Sequence, residues 1–246
     1  QGRIAGANAA GDHKIMKGVL GTAIVRVCNL VAACTGLNER EARQIGLDYY
    51  CSYIHAGDHA GYYPDAQQLT IKLVVEKGTG RLLGAQAVGG RGVDKRIDVL
   101  ATALYARLTV EELGDLDLAY APPFGSSRDP VIVAGFVAQN ILQGEITALT
   151  GHELLGEGEA VREMRILDVR SPQEHALAAI PGSTLVPIDM LRSRLEELAD
   201  QKEEELVVHC HTGLRSYLAC RILQAHGFTK LKNLSGGITT WKHTNP

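Results

Sequence analysis

The amino-acid sequence predicts a two-part chain, a mixed sheet with helices followed by a small parallel α/β domain. Three observations carry that prediction. Leu69, Ile71, Leu73 and Val75 alternate along a strand that ends in the turn Lys77-Gly-Thr-Gly, and Leu82–Val88 returns as its hairpin partner. From residue 146 onward the pattern instead alternates short strands with short helices, the layout of a parallel sheet with chemistry at the C-terminal strand ends. Between the two, Gly144 and Glu145 mark a boundary.

In the first part, Ala23–Leu30 is rich in Ile and Val and reads as a strand, and Tyr49–His55 as a second. Asn38 is placed to cap a short helix. Asp94–Leu108 carries apolar residues at Ile97, Leu100, Ala101, Leu104 and Leu108, an amphipathic helical spacing. Thr109 with Glu112 three residues on matches a capping box. Pro122 and Pro123 forbid a continued helix, and Asp129–Leu142 follows as a connecting helix. In the second part, strands are predicted at Ile146–Leu149, Arg165–Val169, Thr184–Pro187, Leu206–Cys210 and Leu231–Leu234. Helices are predicted near His152–Leu155, Pro172–Leu177, Met190–Leu198, Leu214–Gly227 and Ile238–Lys242.

The 246 residues leave room for two domains, and a net charge of −3 with both signs interspersed points to neither nucleic acid nor an anionic membrane. No apolar run reaches membrane-spanning length. Five cysteines (Cys28, Cys34, Cys51, Cys210, Cys220), odd in number and without zinc-like spacing, favour free thiols in a reducing cytoplasm and no metal site. The Ala-rich opening Gln1–Gly11 begins in mid-pattern without an N-cap, as in a chain cut from something longer.

The most informative stretch is Leu206–Ser216. A short apolar run ends in Cys210, a compact turn follows, Arg215 stands five positions on, and a helical pattern begins at Leu214. Strand, cysteine loop and helix aim backbone N–H groups and a positive helix end at one sulfur, which favours the nucleophilic thiolate. Arg215 either contributes a full charge toward an anionic donor or braces the loop by pairing with a carboxylate. His209 and His211 flank Cys210, but adjacent strand residues face opposite ways, which argues against either as a direct base.

Leu-Asp-Val-Arg-Ser-Pro-Gln-Glu (167–174), Ile-Pro-Gly-Ser (180–183), the Cys210 loop and Leu-Ser-Gly-Gly-Ile-Thr-Thr-Trp (234–241) together resemble a single-domain rhodanese over residues 146–246. Ala178-Ala179 departs from the Gly-His often found there. The resemblance implies sulfur transfer through a persulfide on Cys210, with Arg215 assisting and His211, Thr212, Gly213, Leu214 and Ser216 completing the loop. It also implies that Asp168 and Arg170 form an ion pair supporting the loop from below. Polysulfide, thiosulfate or a low-molecular-weight persulfide would be the donor. Related cysteine phosphatases use a loop one residue longer, so phosphoryl transfer is the weaker expectation.

Residues 1–145 have their own resemblance. Gln1–Gly11 is similar to the last helix of the FAD domain of flavin-dependent disulfide reductases, and residues 12–129 to the dimerisation domain that follows, with 130–145 as connector. The whole resembles the tail of a coenzyme A-disulfide reductase, or NADH-dependent persulfide reductase, fused to a rhodanese. That implies FAD, NADH or NADPH, and CoA in the parent enzyme, none of them bound to this piece alone, where no Gly-x-Gly-x-x-Gly follows a strand. It implies a homodimer in which Tyr120, in Tyr-Ala-Pro-Pro-Phe (120–124), reaches the partner's active site on the CoA side, or fills the interface. Cys28, Cys34 and Cys51 are expected in the core, as is Cys220. The rival reading is a dimerisation and docking module whose rhodanese fold is idle.

Overall fold

The computed structural model describes residues 1–156 and 164–244. A solvent-exposed helix, α1 (Gly2–Ala9), precedes the first sheet. That sheet holds β1 (Ala23–Val27), β2 (Leu30–Gly36), β3 (Tyr49–Gly57), β4 (Gln68–Glu76) and β5 (Leu82–Gly89), with α2 (Glu39–Gln44) between β2 and β3. The strand order is β1-β2-β5-β4-β3. Every pairing is antiparallel, so the sheet is not mixed as expected. No crossover helix separates the hairpin partners β1–β2, β3–β4 and β4–β5, and a parallel pair would need one.

The single strand expected at Ala23–Leu30 is in fact a hairpin, β1 and β2 turning at Cys28-Asn29 with Val27 opposite Leu30. Cys28 makes the turn with φ +52°. With Asn29 its one turn residue, and apolar runs on both sides, the turn leaves only a weak mark in the pattern. The hairpin also corrects the placement of Cys28 and Cys34, which are exposed rather than in the core. Cys51 and Cys220 are buried, and burial pushes each thiol up to about 12.

The helices α3 (Val93–Ala106), α4 (Val110–Gly114) and α5 (Pro130–Leu142) cover one face of this sheet. Ile71, Leu73, Val75, Ile97, Leu100, Leu113, Val131 and Ala138 fill the core between them. Asn38 caps α2 as expected, closing a box with Glu41, and Thr109 closes the expected capping box with Glu112. The charge inside this core is Arg96, 2% exposed, which donates to both carboxylate oxygens of Asp129 (3.3 and 2.9 Å) and to Asp58 O (2.7 Å). Asp129 in turn caps α5 by accepting from Val131 N–H at 3.0 Å.

The second sheet holds β6 (Thr147–Leu149), β7 (Arg165–Asp168), β8 (Thr184–Leu185), β9 (Leu206–His209) and β10 (Leu231–Leu234). Its order is β6-β10-β9-β7-β8 and all its pairs are parallel. Around it lie α6 (Gly151–Leu154), α7 (Pro172–Leu177), α8 (Ile188–Leu191), α9 (Leu214–Ala225) and α10 (Gly237–Thr244). The helix expected at Met190–Leu198 is the short α8 continued by a 3₁₀ segment, Arg192–Gln201. Val208, Ala219, Cys220 and Leu223 pack on one side, and Val207, Leu234, Ile238 and Trp241 on the other. That two-sided burial makes the strands short apolar runs rather than alternating ones.

The sheets meet where β3 faces the turn between β10 and α10. Tyr53 N–H donates to Ser235 Oγ at 3.0 Å, and His55 Nε2 lies 2.8 Å from Thr240 Oγ1 while Nδ1 lies 2.8 Å from Thr70 Oγ1. Burial pulls His55 down to about 4.

Two predictions follow from these buried charges and rings. Arg96→Leu leaves the Asp129 carboxylate buried without its main partner and is expected to cost on the order of 3–5 kcal/mol in denaturant unfolding. Arg96→Leu with Asp129→Asn should cost less than the single change. For His55, the folded value lies below the usual 6.5, so the unfolded chain takes the proton first as pH falls. Stability is therefore full above about pH 6.5 and declines toward pH 4, by on the order of 2 kcal/mol from this residue. His55→Gln, which keeps hydrogen bonds but cannot protonate, should flatten the pH dependence of Tm over that window; parallel curves would refute the assignment.

Candidate active site

β9 delivers Cys210 to the C-terminal edge of the parallel sheet, where its side chain is 1% exposed. Gly213 N–H donates to Cys210 Sγ at 3.1 Å, and the Ser216 hydroxyl lies 3.4 Å from the same sulfur and 3.0 Å from Gly213 O. The 12-residue helix α9 starts at Leu214, directly behind. Gly213 takes φ +118°, a conformation that turns the loop N–H inward and that L side chains rarely adopt.

The loop's carbonyls are tied down from the other side. Ile238 N–H donates to Cys210 O at 3.0 Å, and Thr239 donates to His211 O through its N–H (3.1 Å) and its hydroxyl (2.8 Å). These donors belong to the first turn of α10, whose N–H groups would otherwise lack partners. A Cβ on Gly237, at φ +58°, would stand 2.6 Å from both carbonyl oxygens. Among the expected loop residues, His211 and Leu214 point to solvent, Thr212 and Gly213 are half-buried, and Ser216 is buried.

Arg215 makes a bidentate pair with Glu174, at 2.7 and 2.6 Å. The guanidinium holds the Glu174 carboxyl down to about 2. Glu174 also closes a capping box with Ser171 at the start of α7. The geometry contains the carboxylate pairing, and Cys210 also lies close enough to act on the same guanidinium. Nothing in the local pattern around Glu174 signals its partner 41 residues away.

Asp168 and Arg170 form a wholly buried ion pair at 2.5 Å. Burial alone would raise the Asp168 carboxyl, yet Arg170 and His175 hold it below its usual range. The pair reaches the loop through α7: Arg170 also donates to Glu174 O (3.2 Å) and Ala178 O (2.7 Å). His209 lies beneath the loop, Nε2 3.7 Å from Asp168, and burial pulls it down to about 4. It is a neutral ring inside the scaffold, facing away from the sulfur's donors.

Two hollows flank the loop. One, of about 360 Å³, lies between the domains against Thr212, Gly213, Phe136, Ile141 and Tyr217. The other, an open cleft of about 1100 Å³, has Arg215 on its edge. Tyr120 stands apart from all of these, on the segment between α4 and α5. It is 49% exposed, with its hydroxyl 3.5 Å from that of Tyr62. Among the described residues no helix is long and apolar enough to cross a membrane.

Comparison with known proteins matches each half separately. Residues 22–130 match the pyridine nucleotide-disulphide oxidoreductase dimerisation domain, and residues 149–244 the rhodanese-like domain. The chain is 38% identical over 133 residues to a coenzyme A disulfide reductase of Staphylococcus haemolyticus, covering 54% of this chain and 30% of that protein. It is 42% identical over 132 residues to a CoA-dependent NAD(P)H sulfur oxidoreductase of Pyrococcus furiosus, with the same coverage. Among solved structures, reduced CoADR-RHD of Bacillus anthracis matches at TM-score 0.90 and 39% identity, over 97% of this chain and 42% of that one. An NAD-dependent persulfide reductase from A. fulgidus matches at TM-score 0.86 and 43% identity, over 98% and 42%. The chain spans less than half the length of each of these four proteins. It is therefore a pyridine nucleotide-disulphide oxidoreductase dimerisation domain joined to a rhodanese-like domain.

Proposed function

We propose that this chain is the dimerisation and sulfur-carrying part of a flavin- and NAD(P)H-dependent reductase of CoA disulfides or persulfides. In this reading Cys210 takes sulfane sulfur from a donor as a persulfide and delivers it to the flavin and CoA site of the parent enzyme. One observation carries it: a buried thiol, at the end of a parallel strand, receives the Gly213 N–H at the mouth of a long helix. Fixed N–H dipoles of this kind stabilise a sulfur monoanion without rearranging when it forms. The resemblance to reductases named for CoA disulfide, sulfur and persulfide supports the same reading.

Each step needs only what the loop supplies. The thiolate attacks the donor's outer sulfur and breaks the donor S–S bond, whose other half leaves with the bonding pair. The cradle holds the resulting persulfide; an acceptor nucleophile then takes the terminal sulfur and releases the Cys210 thiolate. Flavin, nicotinamide and CoA would be held by other parts of the parent, and CoA would act there as thiol carrier. Phosphoryl transfer is disfavoured because only four residues separate Cys210 from Arg215, whose guanidinium is engaged by Glu174. A reducing cytoplasm suits the five free thiols.

The first domain, in the same proposal, pairs two copies of the chain and brings Tyr120 to the partner's CoA side. Its edge hairpin leaves Ile24, Val25, Val27 and Leu30 more than half exposed, an apolar patch of the kind interfaces use. Light scattering should give a dimer mass, and a strictly monomeric one would count against the pairing. Intact-mass spectrometry after brief polysulfide treatment should show one added sulfur, ~32 Da, that is absent in Cys210→Ser. Equal gain in both proteins would remove Cys210 as carrier, and no gain in either would leave the docking-module reading.

A further inference from the structure

Arg215 is the only full positive charge in the Cys210 loop, and it is already matched. Nη1–H donates to Glu174 Oε2 and Nη2–H to Oε1, so both carboxylate oxygens face the guanidinium. Glu174 is itself held in place. Its Oε2 accepts from Ser171 N–H at 3.0 Å, and its own N–H donates to Ser171 Oγ at 3.2 Å. The capping box fixes the carboxylate, and the carboxylate fixes the arginine. Besides this matched guanidinium, which Cys210 also reaches, the groups around the sulfur are uncharged: the Gly213 N–H, the Ser216 hydroxyl and the helix end.

Such a cradle treats donors differently. When the Cys210 thiolate attacks thiosulfate, one negative charge meets two, and sulfite leaves as a dianion. When it attacks an organic hydropersulfide R–S–SH, the reacting atoms carry a single negative charge throughout. The Cys210 S–S bond forms, the donor S–S bond breaks, and RS⁻ leaves with the bonding pair and takes a proton from water. The transferred sulfur keeps its proton as Cys210–S–SH, and nothing is oxidised or reduced overall. Gathering three negative charges beside a neutralised Arg215 is the costlier course.

The cleft beside Arg215 supplies the complementary feature. Met190, Leu218 and Ile222 line it together with Arg192 and Arg221. Arg192 is exposed and has no ion-pair partner among the described residues. Asp189 also lines the cleft and Arg221 is engaged by Glu145, so Arg192 is its unmatched arginine among those named, while Arg215 beside the sulfur is matched by Glu174.

We propose that Glu174 is a specificity-determining residue, holding Arg215 so that Cys210 accepts organic persulfides with anionic groups remote from the sulfur and discriminates against dianionic donors such as thiosulfate. The inference rests on the sulfur-carrier reading above. It is tested by measuring kcat/KM for Cys210 loading with glutathione persulfide and with thiosulfate, in the full chain. Wild type should favour glutathione persulfide by about tenfold or more. Glu174→Gln, which can still close the capping box, should raise kcat/KM for thiosulfate about tenfold, mainly through KM, and the gain should vanish at high salt. Glu174→Gln with Arg215→Gln should return the donor ratio toward wild type, because the site is again neutral.

Wild-type preference for thiosulfate would overturn the inference, whether or not the variants fold. So would an unchanged ratio in a Glu174→Gln protein of normal Tm. If both donors load wild type equally, the discrimination fails while the carrier reading stands. If neither loads Cys210, the carrier reading fails and the inference with it.

Discussion

The site depends on how the carbonyls of Cys210 and His211 are disposed of. A short loop has as many carbonyls as N–H groups, and it can aim N–H groups at a sulfur only if the carbonyls find donors elsewhere. Ile238 and Thr239, in the first turn of α10, are those donors. A helix start has N–H groups to spare, so one helix end satisfies the loop while another, that of α9, faces the sulfur. Gly213 and Gly237 are the two places where only glycine permits this. One takes a backbone conformation that side chains resist, and the other lets the two segments approach.

The same turn is where the domains touch. Ser235 and Thr240 receive Tyr53 and His55 from β3, within a few residues of the donors that hold the loop. The first domain therefore borders the second at the segment that shapes its cysteine loop. A displacement of β3 would be felt by the carbonyl anchors through a single short turn.

Charge is arranged in a chain behind the loop. Asp168, at the end of β7, pairs with Arg170; Arg170 binds the backbone of α7; and α7 presents Glu174 to Arg215. A buried pair of this kind adds little net stability, because desolvation offsets most of the attraction. What it supplies here is position, a carboxylate held at one end and an arginine at the other. His209 sits in the same layer as a neutral ring, which keeps further positive charge away from beneath the sulfur.

Much of this was legible in the residues themselves. The cap at Asn38, the capping box at Thr109, the helix at Leu214 and the parallel strands ending at Cys210 all rest on local signals a few residues long. The β1–β2 hairpin was not, because Asn29 is its one turn residue, Cys28 takes the positive-φ position, and both flanks are apolar. Cys28 is exposed because it stands in that turn, and Cys34 because it lies on the face of β2 opposite that of buried Ala33 and Thr35. The Glu174–Arg215 pair was hidden for a different reason. Each residue is unremarkable in its own segment, and only the packing of α7 beside α9 brings them together. Sequence by itself determined the elements and the identity of the nucleophile candidate, because helix, strand and cap are local energies. Tertiary structure alone decided which charges neutralise one another and which carbonyls are anchored, because those partners lie tens of residues apart and meet only in the folded chain.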